Sequence, residues 1–141
     1  MAENSIIKSY KFRIYPSKAQ TTKLDYTLYL CRDLYNAALQ ERIGAYKINR
    51  ISLSYYTQAN QLSDIKVTNS EYKDVHSQVL QNVLKRVDKA FQNFFRRVKS
   101  NKGKAGFPRF QNKQRYNSFT FAQSGFSLND NKLTLSNTIY C

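Results

Sequence analysis

Between Ser77 and Phe110 the chain reads SQVLQNVLKRVDKAFQNFFRRVKSNKGKAGFPRF, and the spacing of its apolar residues dictates the main element of the fold. Val79, Leu80, Val83, Leu84, Val87, Ala90, Phe91, Phe94, Phe95 and Val98 recur in steps of three and four, the period of one broad face of a helix. At about 100° per residue, Gln78, Lys85, Lys89 and Arg96 gather on the opposite side, with Asn82 and Arg86 beside them. The apolar face must pack on another element, and the outward face is basic and rich in amides. Beyond the helix a glycine-punctuated loop carries Lys102 and Lys104, and Gly106-Phe107-Pro108-Arg109-Phe110 forms a proline-set turn between two aromatics.

Charge is concentrated in this stretch. The 141 residues hold 23 Lys and Arg against 9 Asp and Glu, a formal net charge of +14. Between Lys85 and Arg115 eleven basic residues stand against Asp88 alone. Such a block points to a polyanion, either nucleic acid or an anionic membrane. A membrane-surface helix would expose its apolar face, whereas this one is flanked by segments able to cover it, so nucleic acid is the expected partner. Eleven Tyr and nine Phe add possible base-stacking surfaces. We expect Phe91, Phe94 and Phe95 in the core, and leave Phe107, Phe110 and Tyr116 open between core and stacking.

The length suits one domain with a core, or a piece of a longer protein. Cys31 falls inside an apolar helical pattern and Cys141 is the last residue, which gives no disulfide framework. With one histidine, His76, no zinc site is recognisable and no cofactor is expected. No run of about 18 apolar residues and no signal-peptide pattern are seen, so a soluble cytoplasmic protein is expected.

In chain order, Ile6 to Tyr15 alternates and reads as a half-buried strand ended by Pro16. Ser17 and Gln20 form a capping box, and Leu24, Leu28, Cys31, Leu34, Tyr35, Ala38, Leu39 and Ile43 continue a helix over about 18–46. Its exposed side is expected to carry Lys23, Arg32 and Arg42 with Asp25, Asp33 and Glu41. Ser54 caps a shorter helix through Ile65, 67–73 is a polar connector, and Asp74 caps the long helix. From Ser118 the period falls to two, and Asn129-Asp130-Asn131 before Leu133-Thr134-Leu135 predicts a hairpin. The expected class is α+β: an amino-terminal strand, a three-helix insertion with one long basic amphipathic helix, and a carboxy-terminal β-hairpin, together an incomplete small sheet or barrel.

Several segments together resemble the amino-terminal part of the TnpB (OrfB) family of insertion-sequence transposases, relatives of compact type V CRISPR effectors. They are Lys11 to Pro16, Leu34-Tyr35-Asn36, Leu80-Gln81, Ala90 to Phe95, Gly106 to Phe110 and Ser118-Phe119-Thr120. The resemblance implies a helix-turn-helix-like DNA-binding region organised as wedge-like strands and a helical recognition lobe. On that reading 1–5 is a disordered start, 6–16 and 117–136 the β part, 17–100 the helical part and 101–116 a basic loop. It implies DNA and a guide-type RNA as partners, in a bacterial or archaeal nucleoid. The family's RuvC-like magnesium site and zinc segment are expected downstream, so no nuclease activity and no catalytic residue or metal site is expected here. The terminal 133–141 starts like the family's next strand and then departs, which suggests a truncated protein, with a disordered tail as the alternative.

By residue-by-residue resemblance Tyr55, Ser77, Gln78, Gln81 and Thr120 correspond to positions near the transposon-adjacent duplex, and Gln78 could pair bidentately with adenine. Lys85, Lys89, Arg96, Arg97, Lys102, Lys104 and Arg109 are expected on backbone phosphates, where they position without specifying sequence. His76 is read as a surface residue near a helix start. The competing readings are a free-standing helix-turn-helix regulator, a minimal nuclease, and a remnant without activity.

Overall fold

The computed structural model describes residues 5–100, 106–135 and 139–140. Two long helices dominate it: α1 (Lys18–Asn49) and α4 (Ser77–Ser100), joined by α2 (Tyr55–Ala59), α3 (Leu62–Thr68) and a 3-10 turn (Ser70–Asp74). Then come β1 (Phe126–Asn129), β2 (Lys132–Leu135) and β3 (Ile139–Tyr140). The mixed class expected from the sequence is borne out.

α1 starts where Ser17 and Gln20 exchange capping hydrogen bonds, and stops at Arg50, whose left-handed φ of 53° lets its N–H reach the Ala45 and Tyr46 carbonyls. Both long helices bury one seam. Leu30, Cys31, Leu34 and Leu39 of α1 meet Val79, Leu80, Val83, Leu84, Val87 and Phe91 of α4, and all are essentially inaccessible to water. Residue numbers rise together along this seam: Tyr26 bonds Asp74 just before α4, Arg42 bonds Asp88, and Tyr46 packs on Phe94. The helices are therefore parallel, and α2, α3 and the 3-10 turn bring the chain back to the starting end. Near the far end Tyr46, Phe91, Phe94, Phe95 and Phe107 form an aromatic cluster, with Phe94 and Phe107 stacked at 4.7 Å.

Arg42 was expected on the surface and is instead 3% exposed. Its Nη2 meets Asp88 at 2.9 Å, its Nε donates to Gln58 at 2.7 Å, and the guanidinium lies 5.7 Å from the Phe91 ring centroid. Gln58 in turn donates to the Ala38 carbonyl, and Gln92 donates to Asp88. One buried cation thus ties α1, α2 and α4, and periodicity alone cannot distinguish it from a solvated arginine at the same helical angle.

Other expectations are corrected. The single short helix after Ser54 is divided in two, although Ser54 does cap it by accepting from the Thr57 N–H. The polar connector contains the 3-10 turn, in which buried Tyr72 donates to Asp33. Asp74 belongs to that turn, and the first turn of α4 is served by His76, whose Nδ1 accepts from the Gln78 N–H. Residues 6–16 form no strand. A strand needs a ladder partner, and β1, β2 and β3 ladder with one another. Ile6, Tyr10 and Phe12 are all at least 74% exposed, while 12–15 run beside the hairpin and line with Leu128 and Leu133 a groove of about 520 Å³. Residues 118–122 also lack a ladder, being held by side chains of α4.

The hairpin pairs Phe126 with Leu135 and Asn129 with Lys132, turning at Asp130, whose φ is 53°. β3 adds antiparallel to β2, leaving an open sheet that does not close into a barrel. The expected disordered start at 1–5 lies outside the described residues except for exposed Ser5.

Two outcomes follow from the interior. Asp88→Ala strands the Arg42 charge, and the urea midpoint should fall by an equivalent of about 3 kcal/mol, whereas Lys89→Ala on the exposed side should change it by less than about 0.5 kcal/mol. Burial pushes the Cys31 thiol up to about 12 from an ordinary 9.0, with Arg86 opposing, and pushes the Tyr116 phenol up to about 12 from 10.0. The folded state holds both neutral while the unfolded chain ionises at the ordinary values, so stability intact below pH 9 is lost progressively towards pH 12. Urea unfolding at pH 8, 10 and 11.5 should show a falling midpoint, and a flat profile would contradict this burial.

Candidate nucleic-acid interface

The polar side of α4 is organised in two ridges, each an i, i+4, i+8 row. Gln81, Lys85 and Lys89 form the outer row and are exposed, as is Arg96 about two turns further on. Lys85 Nζ lies 5.5 Å from the Tyr55 ring centroid, so α2 contributes an aromatic to this row. Lys85 to Arg96 covers about 16 Å of helix, comparable with about five nucleotides of one strand at about 3.4 Å each. Among the described residues no carboxylate forms an ion pair with these three cations, and Asp88 is turned inward to Arg42.

Gln78, Asn82 and Arg86 form the inner row, and all three are half-buried. The segment 118–124 lies along them. Arg86 donates from Nη1 to the Ser118 carbonyl (2.9 Å) and hydroxyl (3.2 Å), from Nη2 to the Thr120 hydroxyl (3.0 Å), and from Nε to Asn82 Oδ1 (3.0 Å). Its guanidinium also lies 5.3 Å from the Tyr116 ring centroid. Two helical turns earlier, Gln78 Oε1 accepts from the Gln123 and Ser124 N–H groups, both at 2.8 Å. Side chains of α4 therefore hold this segment where a neighbouring strand was expected to do so. Phe119 and Phe121 meanwhile pack against the core. Gly125 closes the segment at φ 90°, where a Cβ would meet Phe121 and His76 at 2.7 and 2.9 Å.

The sequence-derived candidates fall into distinct positions. Gln81, Lys85, Lys89, Arg96 and Arg109 are exposed. Arg97 is exposed and donates to the Gly106 carbonyl. Lys102 and Lys104 lie outside the described residues. Ser77 accepts from Lys66 Nζ at 3.1 Å, Thr120 is held by Arg86, and Tyr55 sits under Lys85. Both lone pairs of Gln78 Oε1 are occupied by backbone N–H groups, leaving only its amide hydrogens for a further partner. Tyr116, left open as a stacking residue, is 4% exposed and sits against Tyr35; Phe107 joins the aromatic cluster; Phe110 remains 53% exposed.

Arg86 and Asn36 were missed by sequence reasoning. Asn36 binds Gln111 by both backbone groups, its Nδ2 donating to the carbonyl and its Oδ1 accepting from the N–H at 2.9 and 2.8 Å. That pair anchors the loop after Phe110 to α1. Helical spacing could have flagged the Asn82–Arg86 pair, but the loop partners of Arg86 lie more than 30 positions downstream and that of Asn36 lies 75 positions downstream.

Among the described residues no group of three or more His, Cys, Asp and Glu is placed to hold a metal ion, and no helix is long and apolar enough to cross a membrane.

Residues 1–50 match the OrfB-type family described as "Helix-turn-helix domain". The match ends at Arg50, the residue that stops α1, so its described part consists of the amino-terminal segment and one uninterrupted helix. Two curated proteins are similar over most of the chain. A Streptomyces pristinaespiralis protein named "Putative RNA-guided DNA endonuclease" is 28% identical over 134 residues, 93% of this chain and 32% of the relative. The Escherichia coli "Putative RNA-guided DNA endonuclease InsQ" is 29% identical over 119 residues, 83% of this chain and 28% of the relative. The chain thus spans about a third of the length of these relatives. The resemblance to the TnpB (OrfB) family drawn from the sequence is borne out.

Substituting Gln78 tests the inner row directly. Gln78→Ala should raise the exchange rates of the Gln123 and Ser124 amides by at least about tenfold, the loss of about one hydrogen bond apiece, while Gln78→Glu, which keeps an acceptor, should leave them near wild type. Equal rates in all three proteins would mean that the side chain does not hold this segment.

Proposed function

We infer that this chain, TnpB-like in its matched helix-turn-helix region and across most of its length, is a nucleic-acid-binding region that engages DNA and a guide-type RNA through the outer row of α4. The observation that carries this reading is the exposed series Gln81, Lys85, Lys89 and Arg96, backed by a helix whose other face is fully committed to the core. A rigid helix that presents cations along one line, one turn and then two turns apart, suits a phosphate backbone, whose charges also run in a line.

Within this reading Lys85, Lys89, Arg96, Arg97 and Arg109 contact phosphates, together with Lys102 and Lys104 of the basic loop. Tyr55, Ser77, Gln81 and Thr120 border the adjacent duplex. Gln78 contributes there only as a donor, since its oxygen is taken, which removes the bidentate adenine pairing. The extended segment 6–16, the 117–135 stretch that ends in the hairpin and the helical part at 17–100 act as one binding module. Within this reading the described residues bind nucleic acid, and no step of phosphodiester cleavage is assigned to any of them. The setting is the cytoplasm, at the nucleoid.

Titration of the chain against duplex DNA, single-stranded DNA and a structured RNA tests the reading. For six to ten phosphate contacts, affinity should fall by about 10³ to 10⁵ between 50 and 200 mM salt. Replacing Lys85, Lys89 and Arg96 together by Gln should lower the slope of log affinity against log salt by about 0.9 for each duplex phosphate no longer neutralised, with helicity unchanged because Lys, Arg and Gln have similar propensities. An unchanged slope would remove this face of α4 from the interface.

A further inference from the structure

We propose that Arg86 is a positioning residue of this interface and not one of its phosphate ligands: it fixes the 118–124 segment as a second rail alongside the exposed row of α4. The inference rests on the nucleic-acid reading above and assigns a different task to one cation of the basic block. An arginine guanidinium has five N–H donors in a planar fork. Four are committed within the protein, one from Nε, two from Nη1 and one from Nη2. A bidentate phosphate contact needs two adjacent donors on one edge, and only one hydrogen, on Nη2, remains. Tyr116 lies against the guanidinium as well. Sequence ranks Arg86 with its basic neighbours; its geometry sets it apart from them.

What Arg86 does in exchange is specific. It grips Ser118 and Thr120, while Gln78, about 12 Å earlier along the helix, grips the backbone of Gln123 and Ser124. The segment between these two pins has no ladder partner of its own, so the pins determine how it lies against α4. Because the pinning row and the exposed row are adjacent on one helix, fixing 118–124 also fixes the distance between Thr120 and the row Gln81, Lys85 and Lys89. A ligand lying on that row meets a surface with two walls. A lysine at position 86 would keep the charge and lose the fork, and that difference separates a positioning role from a phosphate contact.

The test compares wild type, Arg86→Lys, Arg86→Gln and Lys89→Gln for affinity to duplex DNA and a structured RNA at several salt concentrations. Amide exchange of 118–124 is followed in the same proteins. Arg86→Lys and Arg86→Gln should lose affinity alike, by about tenfold, with the salt slope unchanged and 118–124 exchanging faster. Lys89→Gln should lower the slope by about 0.9 and leave that exchange as in wild type. If Arg86→Lys binds as wild type while Arg86→Gln lowers the slope, Arg86 is a phosphate ligand and the proposal falls. It falls equally if both variants expose 118–124 and bind normally, since the role is then structural only. Should either variant fail to fold, Asn82→Ala removes only the acceptor that orients Nε and should give a smaller loss of affinity at the same slope; wild-type affinity in Asn82→Ala would count against the proposal. A wild-type chain without salt-sensitive binding overturns the functional reading itself, and this inference with it.

Discussion

Everything in this structure depends on the parallel packing of α1 on α4. Two helices adjacent in a bundle usually run antiparallel through a short loop, because a parallel pair needs the chain to return along their length. Here the 27 residues from Arg50 to His76 make that return, folded as α2, α3 and a 3-10 turn and packed against the same core. The arrangement sets both amino-terminal ends together, where Tyr26 meets Asp74, and both carboxy-terminal ends together, where Tyr46 meets Phe94 and Phe95. About one turn of α1 before Tyr46, the Arg42–Asp88 pair fixes the axial register of one helix on the other. Apolar side chains alone would tolerate a slip of one turn. A buried guanidinium whose partners are one carboxylate and one amide does not, since displacement would leave a charge and two polar groups unpaired in the core.

The helical half was legible because its signals are local. Ser17 with Gln20 marks the start of α1, and the three-and-four spacing from Val79 to Phe94 marks the buried seam of α4; both were read from residues a few positions apart. The β half was legible only at Asp130-Asn131, again a local turn signal. What failed was every inference that needed a distant partner. Ile6 to Tyr15 alternates as a strand does, but alternation states only that two faces differ, and no ladder partner is paired with it here. Phe119 and Phe121 alternate in the same way, and their segment is held by Arg86 and Gln78 from 32 to 46 residues earlier. Arg42 was misplaced for the same reason, as its neutralising carboxylate is 46 residues away.

The candidate interface shows the same division. That the block from Lys85 to Arg115 is basic could be counted from the sequence, and that Lys85, Lys89 and Arg96 share a face follows from the helical period. Which cations are available to a ligand could not be read that way. Arg42 and Arg86 carry the same charge as Lys89, yet one neutralises Asp88 in the core and the other is committed to Ser118, Thr120 and Asn82. Arginine is favoured for both internal tasks because its rigid fork satisfies several acceptors at once, whereas lysine offers a single mobile ammonium. On α4 the gripping position is arginine, whereas the exposed row holds lysines at 85 and 89 together with Arg96.

That difference bears on how the surface can serve a long polyanion. Lysines at the exposed row keep flexible stems and mobile charges, which suits a backbone contact that need not distinguish one nucleotide from the next. Discrimination requires groups held in place before the ligand arrives, since ordering them on binding costs affinity. Around α4 the fixed groups are those beside the inner row: Thr120 under Arg86, and the 123–124 backbone under Gln78. In the interface proposed above, the mobile charges of one row would hold nucleic acid broadly and the fixed polar groups of the next would select. On that proposal the boundary between the two tasks runs along α4 itself, between residues only one ridge apart.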